Sequence, residues 1–365
     1  MKPKVSLSYT QAGVDTAKEE YALKRLLKWT ERSFSLRTGL GCPKLKTGYF
    51  ANVIDIGGGI GLAISTDGVG TKILVAQMVG KYHTIGIDCI AMNVNDIICV
   101  GAEPLSMTDY IAIEDPHPDL LEEIGKGLYE GAKIAKVSIS GGEMAQVKEM
   151  IRGSRNGYGL DLVGTCVGKV PLDKIIIGQN IEEYDVVIGL RSSGIHSNGL
   201  TLARKVFFEK ANFEIDKHVK ELGRTIGEEL LEPTHIYVPE ITEMLTRDLN
   251  LKALINITSD GFLNLTRVEA DVGYVIDFLP EPQPIFSLLQ EFGDIDKAEM
   301  FTVYNMGIGF CVIAPQSEVE AIMNIAKKHG VDSYRIGYAV EDPEKKVVIQ
   351  PEKLLGKGNR FFEAS

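Results

Sequence analysis

The chain has 365 residues, too many for one ordinary hydrophobic core, so two domains are expected. Hydrophobic residues make up 44% and charged residues 24%, which excludes an intrinsically disordered chain. With 50 acidic against 39 basic residues the net charge is −11, which argues against a nucleic-acid surface but leaves room for a local basic pocket that takes a phosphorylated metabolite.

Residues 1–20 are polar and without period, an arm that either folds over something or stays loose. A helix is expected from Lys18 through Trp29, then a loop from Arg32 to Gly48 carrying Arg32, Arg37, Lys44 and Lys46. Such a cluster is ordinarily a solvated face, though in an acidic protein it could gather an anionic substrate. The apolar run Leu62 to Ile64 reads as a buried strand that ends in a turn made of Ser65, Thr66, Asp67, Gly68, Val69, Gly70, Thr71 and Lys72. A carboxylate suits Mg²⁺, and glycine N–H groups with an ammonium suit phosphate oxygens. The plainer alternative is a tight turn in which Asp67 caps the next element and Lys72 is solvated. The stretch is not a Walker A loop, because G-x-x-x-x-G-K-[ST] does not fit it.

A helix follows from Thr84 and stops at Gly101, with Pro104 beyond. Asp88 and Asn95 are seven positions apart and nearly eclipsed on it, with Met92 and Asp96 alongside. Such a polar row on an otherwise apolar helix must be paired or metal-bound, and either a buried salt bridge or a ligand contact satisfies it. Thr108 to Ile113 reads as a strand, and Pro118-Asp119 opens an amphipathic helix carrying Leu120, Leu121, Ile124 and Leu128 on one face. A short strand from Val137 to Ser140 runs into Gly141-Gly142-Glu143, a second strand–glycine–carboxylate junction. Leu160 to Val167 is a further strand, so helices and strands alternate in an α/β or α+β domain covering 1–170.

The second domain, 171–365, begins with a connector and the strand Asp185 to Leu190. Ser192-Ser193-Gly194-Ile195-His196-Ser197-Asn198-Gly199 then leads into a helix from Leu200 to Lys210, with Ser197 or Asn198 as its cap. Hydroxyls, an imidazole and free N–H groups at a helix start make either an anion site or a serine-rich capped turn. Helices are expected at 235–249, 284–292 and 317–329, and strands at 253–257, 274–278, 308–314, 334–340 and 346–349. Cys42, Cys89, Cys99, Cys166 and Cys311 are odd in number and lack C-x-x-C spacing, which fits free thiols in a reducing compartment. The N-terminus shows no signal peptide and no apolar run is long enough to span a bilayer, so a cytoplasmic protein without membrane contact is expected.

Asp67, Asp96 and Glu143 are hard oxygen donors on separate elements, a pattern suited to Mg²⁺ with a polyphosphate. No H-E-x-x-H, G-x-S-x-G or post-strand G-x-G-x-x-G occurs, so zinc hydrolase, serine hydrolase and dinucleotide-binding readings are weak. Phosphoryl transfer asks of the protein mainly metal, N–H donors and lysine aimed at the transferring group. The residues by themselves therefore point to an enzyme that uses ATP and Mg²⁺, with an unnamed substrate.

Taken together, several segments in order resemble the phosphoribosylformylglycinamidine cyclo-ligases, the AIR synthetases of purine biosynthesis, in an archaeal-like form. They are Ser8-Tyr9 with Ala12-Gly13-Val14-Asp15, Thr66 to Lys72, Gly86-Ile87-Asp88 with Asn95-Asp96 and Gly101 to Pro104, Asp109-Tyr110, Gly141-Gly142-Glu143, Ser192 to Gly199, Leu231 to Tyr237, and Asn305 to Gly309. The resemblance covers nearly the whole chain. It implies a two-domain α/β (α+β) fold, with an N-terminal half that forms a barrel across a homodimer and a C-terminal α/β half. It also implies ATP-driven ring closure of formylglycinamidine ribonucleotide to aminoimidazole ribonucleotide, ADP and phosphate. Carried over by motif, Asp67, Asp96 and Glu143 would bind Mg²⁺–ATP, and Gly68, Gly70 and Lys72 would hold phosphates. Thr66, Asn95, Gly141 and Gly142 would line the nucleotide, and Ser193, Ser197 and Asn198 the substrate. Asp67, Lys72 and His196 would be the catalytic set, with His196 as acid or base.

The chain departs from that pattern in places. Asn256-Ile257-Thr258-Ser259-Asp260-Gly261 stands where the family has His-Ile-Thr-Gly-Gly-Gly, which adds a carboxylate that would repel phosphate unless a cation intervenes. Met144 replaces a threonine, and Val147-Lys148 replaces a Met-Pro pair. Two alternatives follow: another ATP-dependent member of the wider superfamily, such as a kinase or a selenophosphate synthetase-like enzyme, or a nucleotide-binding paralogue that does not turn over. No cysteine precedes Cys42, which disfavours the selenophosphate synthetase.

Overall fold

The computed structural model describes residues 9–364, so Ser8 of the first motif lies outside the described residues. In chain order the elements are α1 (Thr16–Thr30), β1 (Asn52–Asp55), β2 (Ile60–Gly68), α2 (Lys72–Val79), α3 (His83–Cys99), β3 (Glu103–Ile113), α4 (Pro118–Ala135), β4 (Ser138–Gln146) and β5 (Leu160–Pro171). After the connector come β6 (Val186–Arg191), α5 (Leu200–Arg204), β7 (His218–Val219), β8 (Arg224–Thr225), α6 (Ile226–Leu230), α7 (Val238–Thr246), β9 (Ala253–Asn256) and β10 (Val272–Ile276). The chain ends with α8 (Pro284–Gly293), α9 (Lys297–Val303), β11 (Ile308–Ala314), α10 (Val319–Lys328), β12 (Ser333–Glu341), β13 (Val347–Ile349), β14 (Leu354–Lys357) and β15 (Arg360–Glu363).

Among the described residues, a curled half-barrel sheet of five strands has the order β1-β2-β5-β3-β4. β3 and β4 run parallel, and the other pairs are antiparallel. An eight-stranded sheet in the order β15-β14-β13-β10-β12-β6-β11-β9 forms the second half. β11 is buried along its whole length and β6 nearly so, as central strands covered on both faces must be.

Between the sheets lies α3, which is buried on nearly all sides, its polar residues Asp88, Asn93 and Asn95 included. It packs on α4, β2 and β5, and across the domain seam on β9 and α7. Glycine lets α3 and α4 cross closely: a Cβ on Gly127 would sit 1.7 Å from the His83 carbonyl oxygen. α4 carries Leu120, Ile124 and Leu128 on its buried stripe, as its spacing predicts. The arm is not loose where it is described. Ala12 is buried, the Tyr9 N–H donates to Glu299 Oε1 on α9 at 2.5 Å, and Lys205 Nζ donates to the Gln11 carbonyl at 3.2 Å.

Two local expectations are corrected. The strand expected to end at Ile64 continues to Gly68, so Asp67 sits in a strand and not in a turn. Gly141-Gly142-Glu143 is likewise no junction, because β4 runs through it, paired in parallel with β3 past a bulge at Met107/Thr108. In both cases ladder pairing with a neighbour outweighs the local turn preference of glycine and aspartate. The cysteines are free thiols, four of them buried and Cys42 half-buried. No helix of the described residues is long and apolar enough to cross a membrane.

Candidate active site

Register decides which carboxylates meet. Asp67 on β2 and Asp109 on β3 both lie opposite Gly164 of β5, and Gly142 of β4 lies opposite Asp109. Directly opposed residues share a face, so Asp67 and Asp109 both point toward α3. A Cβ on Gly142 would meet Asp109 Oδ1 at 2.5 Å, so only glycine leaves that carboxylate its place. Glu143 is one residue further along and is exposed on the outward face, opposite Tyr110. The expected set of Asp67, Asp96 and Glu143 is therefore not assembled within one chain: the strand period places Glu143 on the far side of the sheet. Among the described residues no group of three or more metal-ligating side chains is close enough to hold an ion.

Asp67 and Asp96 are near enough for the Asp67 charge to act on Asp96. Asn93, buried on α3, fixes the Asp67 backbone: its Oδ1 accepts the Asp67 N–H at 3.0 Å, and its Nδ2 donates to the Asp67 carbonyl at 3.1 Å. The Gly68 N–H donates to Asp67 Oδ1 at 2.7 Å and so is already engaged. Asp96 receives Asn256 Nδ2 at 2.9 Å on Oδ1 and Ser65 Oγ at 3.4 Å on Oδ2. Burial pushes Asp96 up to about 7, opposed by the Asn256 hydrogen bond and reinforced by the Asp67 charge. Burial also raises Asp67, against the Gly68 N–H. Two half-buried carboxylates this close call for a cation. Mg²⁺ is commonly held by one or two carboxylates with phosphate oxygens and water completing the shell, so the pair fits it without a third protein ligand.

Other expected site residues have structural partners. Lys72 is fully buried, with Nζ 2.9 Å from both carboxylate oxygens of Asp88 and 2.6 Å from the Glu232 carbonyl. Its ammonium is sealed inside the seam and offers nothing to a phosphate. Asp88 also accepts the Thr234 N–H at 2.7 Å, so this member of the polar row on α3 belongs to a salt-bridged clamp and not to a metal site. Asn95 belongs to the same clamp: it donates to the His235 carbonyl at 2.8 Å and accepts the Tyr237 N–H at 3.0 Å, with no exposed surface left for ATP.

His196 is buried, and its Nε2 accepts the Ser193 N–H at 3.2 Å. Burial holds the imidazole well below the ordinary histidine range, with the Lys72 and His235 charges adding to the effect, so it stays neutral and its accepting nitrogen is occupied. The acid–base role expected of it has no support here. Ser193 Oγ donates to the Pro233 carbonyl at 2.5 Å, and Ser197 Oγ lies 3.1 Å from Thr234 Oγ1. Asn198 is half-buried. Neither Ser197 nor Asn198 caps the helix, because the N-cap of α5 is Gly199 in the left-handed region. Thr66 is exposed on the outward sheet face, where its hydroxyl meets Thr165 at 2.9 Å, and Gly70, at φ 69°, is exposed at the start of α2.

The altered segment at 256–261 is accommodated. Asp260 Oδ2 lies 3.5 Å from Arg267, and that guanidinium, stacked 5.0 Å from the Phe50 ring, is near enough to Asp96 to oppose its upward shift. A cation thus offsets the added carboxylate. Asn93, Asp109 and Arg267 were not singled out from sequence, and Asn256 was noted only as a departure from the family pattern, without a role. Asp109 sat in a quoted motif without a role, and the others show their function only through contacts far along the chain.

A five-stranded and an eight-stranded sheet, joined at a seam that α3 fills, make a two-domain mixed α/β architecture. A sequence-family profile described as AIR synthase related protein, N-terminal domain, matches residues 48–170, and its C-terminal counterpart matches 182–350. The chain belongs to the AIR synthase related family. It is 43% identical over 96% of both chains to a phosphoribosylformylglycinamidine cyclo-ligase of Methanocaldococcus jannaschii. It is also 45% identical to the one of Pyrococcus horikoshii, covering 93% of this chain and 97% of that one. In fold it is similar to AaThiL complexed with AMPPCP and TMP, with a TM-score of 0.62 and 16% identity over 94% of this chain and 97% of that one. Thiamine-monophosphate kinase from Stenotrophomonas maltophilia has a TM-score of 0.60 and 16% identity, over 89% and 96%.

Proposed function

We propose that the protein is a cyclo-ligase that closes the imidazole ring of aminoimidazole ribonucleotide from formylglycinamidine ribonucleotide, using ATP and releasing ADP and phosphate. The observation that carries this reading is 43% identity to a curated cyclo-ligase over 96% of both chains. The resemblance assigns the order of events. ATP phosphorylates the formyl amide oxygen, then an internal nitrogen attacks that carbon and the oxygen departs as phosphate.

Asp67 and Asp96 would hold Mg²⁺, which neutralises charge on the transferring phosphoryl group. Asn93 fixes the Asp67 backbone through paired hydrogen bonds, so that carboxylate is aimed before any ligand arrives. Thr66, Gly68, Gly141 and Glu143 on the outward face of the five-stranded sheet, Gly142 on its inward face and Gly70 beyond the end of β2 would line ATP. Ser193 and Ser197 lie beside the Pro233-Thr234 segment and, with Asn198, would contact the substrate. The protein would work as a cytoplasmic homodimer, with β4, an exposed edge strand, at the subunit boundary.

The test supplies formylglycinamidine ribonucleotide, ATP and Mg²⁺ and follows ADP and the aminoimidazole product. Product forms under this reading; ADP release without that product, or none of either, would overturn it. Asp67→Asn should abolish Mg²⁺-dependent turnover and leave the oligomer intact, whereas retained turnover removes Asp67 from the metal site.

A further inference from the structure

We propose that Asn256, a residue of the C-terminal domain, positions the Asp96 carboxylate of the N-terminal domain for its divalent cation. This rests on the assignment of Asp67 and Asp96 to the metal.

Asn256 is the last residue of β9 and is 3% exposed. Its backbone is set by pairing with Phe310 of β11, a fully buried residue of a fully buried strand. Its side-chain amide crosses the seam to Asp96 Oδ1 at 2.9 Å. The other carboxylate oxygen, Oδ2, has only the long 3.4 Å contact with Ser65 Oγ. One oxygen is thus held from behind and the other remains available beside Asp67. The chemistry of the donor also fits. A neutral amide orients a carboxylate without supplying a charge that competes with a metal ion. Arg267, the nearby cation, is engaged by Asp260 and by the Phe50 ring. Without Asn256, Asp96 would be free to turn about its own torsions, and the cation would have to order it on binding. The second domain thereby sets the cation affinity of a site whose ligands all belong to the first.

The experiment uses full-length wild type, Asn256→Leu, Asn256→Ser, Asn256→His and Asp96→Asn, with Mn²⁺ as the probe. Free Mn²⁺ is titrated by electron paramagnetic resonance, and turnover is measured against Mg²⁺ concentration. Asn256→Leu removes the donor at similar size, and Asn256→Ser is too short to reach Asp96. Each should weaken Mn²⁺ binding about tenfold, in the range usual for groups that orient a ligand. Each should raise the Mg²⁺ concentration for half-maximal rate by a similar factor, while kcat at saturating Mg²⁺ stays within about threefold of wild type. Asn256→His, which restores an N–H donor, should recover most of the affinity. Wild-type Mn²⁺ affinity in either the Leu or the Ser variant overturns the proposal. Mn²⁺ binding no tighter in wild type than in Asp96→Asn overturns both the metal assignment and this inference. A wild type that binds Mn²⁺ but makes no aminoimidazole product refutes the cyclo-ligase reading alone.

Discussion

Lys72 shows how much a side chain's meaning depends on where it is carried. In the sequence it follows glycines and reads as a phosphate ligand; in the fold it is the first residue of α2 and pairs with Asp88 inside the seam. Asp88 Oδ1 takes a hydrogen bond from it, and Oδ2 is held by charge alone. Removing one partner of such a pair leaves the other charge buried and typically costs about 3–5 kcal/mol. Lys72→Met should therefore lower the urea midpoint steeply, while the KM for ATP changes little in whatever fraction remains folded. A raised KM with an unchanged midpoint would restore the phosphate role. His196 is likewise enclosed by the fold. It sits at φ 61°, a conformation asparagine tolerates, and its ring accepts a single N–H. His196→Asn should keep kcat within about threefold, whereas general acid–base catalysts contribute about 10²–10⁴-fold. A loss of that size in the variant would return His196 to the catalytic set.

Helices of the second domain are tied at their ends by charge as well as by packing. Glu243 on α7 meets Lys328, His329 and Arg247, linking that helix to the end of α10. The hydrogen bond from Lys328, then that from His329, holds its carboxyl down at about 2. A carboxylate depressed in the folded state stabilises above its unfolded pKa, and this contribution is lost as pH falls through the folded value. Wild type should therefore exceed Glu243→Gln in stability at neutral pH, and the gap should close between about pH 4.5 and about pH 2. Denaturant unfolding of both proteins across that window gives the measurement, and a gap independent of pH would remove the ionic contribution. The network is on the surface, so its effect should also shrink in high salt.

At the scale of the whole molecule, the five-stranded sheet is left open on one side. β4 is an edge strand exposed along nearly all its length, with Ile139 at 39% and Met144 at 46% relative exposure, and Tyr110 at 42% beside it. Unpaired, partly apolar edges are what soluble proteins ordinarily cover. If a second copy closes the barrel here, Ile139→Lys with Met144→Lys should shift the sedimentation equilibrium to monomer at micromolar concentration. An unchanged mass would place the subunit boundary elsewhere.

What the sequence determined by itself was periodic or local. The apolar spacing of α3 and α4 and the continuous apolar runs of β6 and β11 named core elements, because burial imposes a fixed repeat on a helix or strand. The ordered motifs also carried the family, through residues whose individual contacts were still unknown. The tertiary structure alone decided which polar residues meet. Strand register put Asp67 and Asp109 on one face of the sheet, on either side of Gly164, and turned Glu143 to the other face, and no one-dimensional spacing contains that arrangement. The seam chose among equivalent polar residues of α3, giving Asp88 to Lys72, Asn95 to the 235–237 backbone, and Asp96 to Asn256. A buried polar group takes whatever partner the packing brings within reach, and here that partner lies more than a hundred residues away for Asn95 and Asp96.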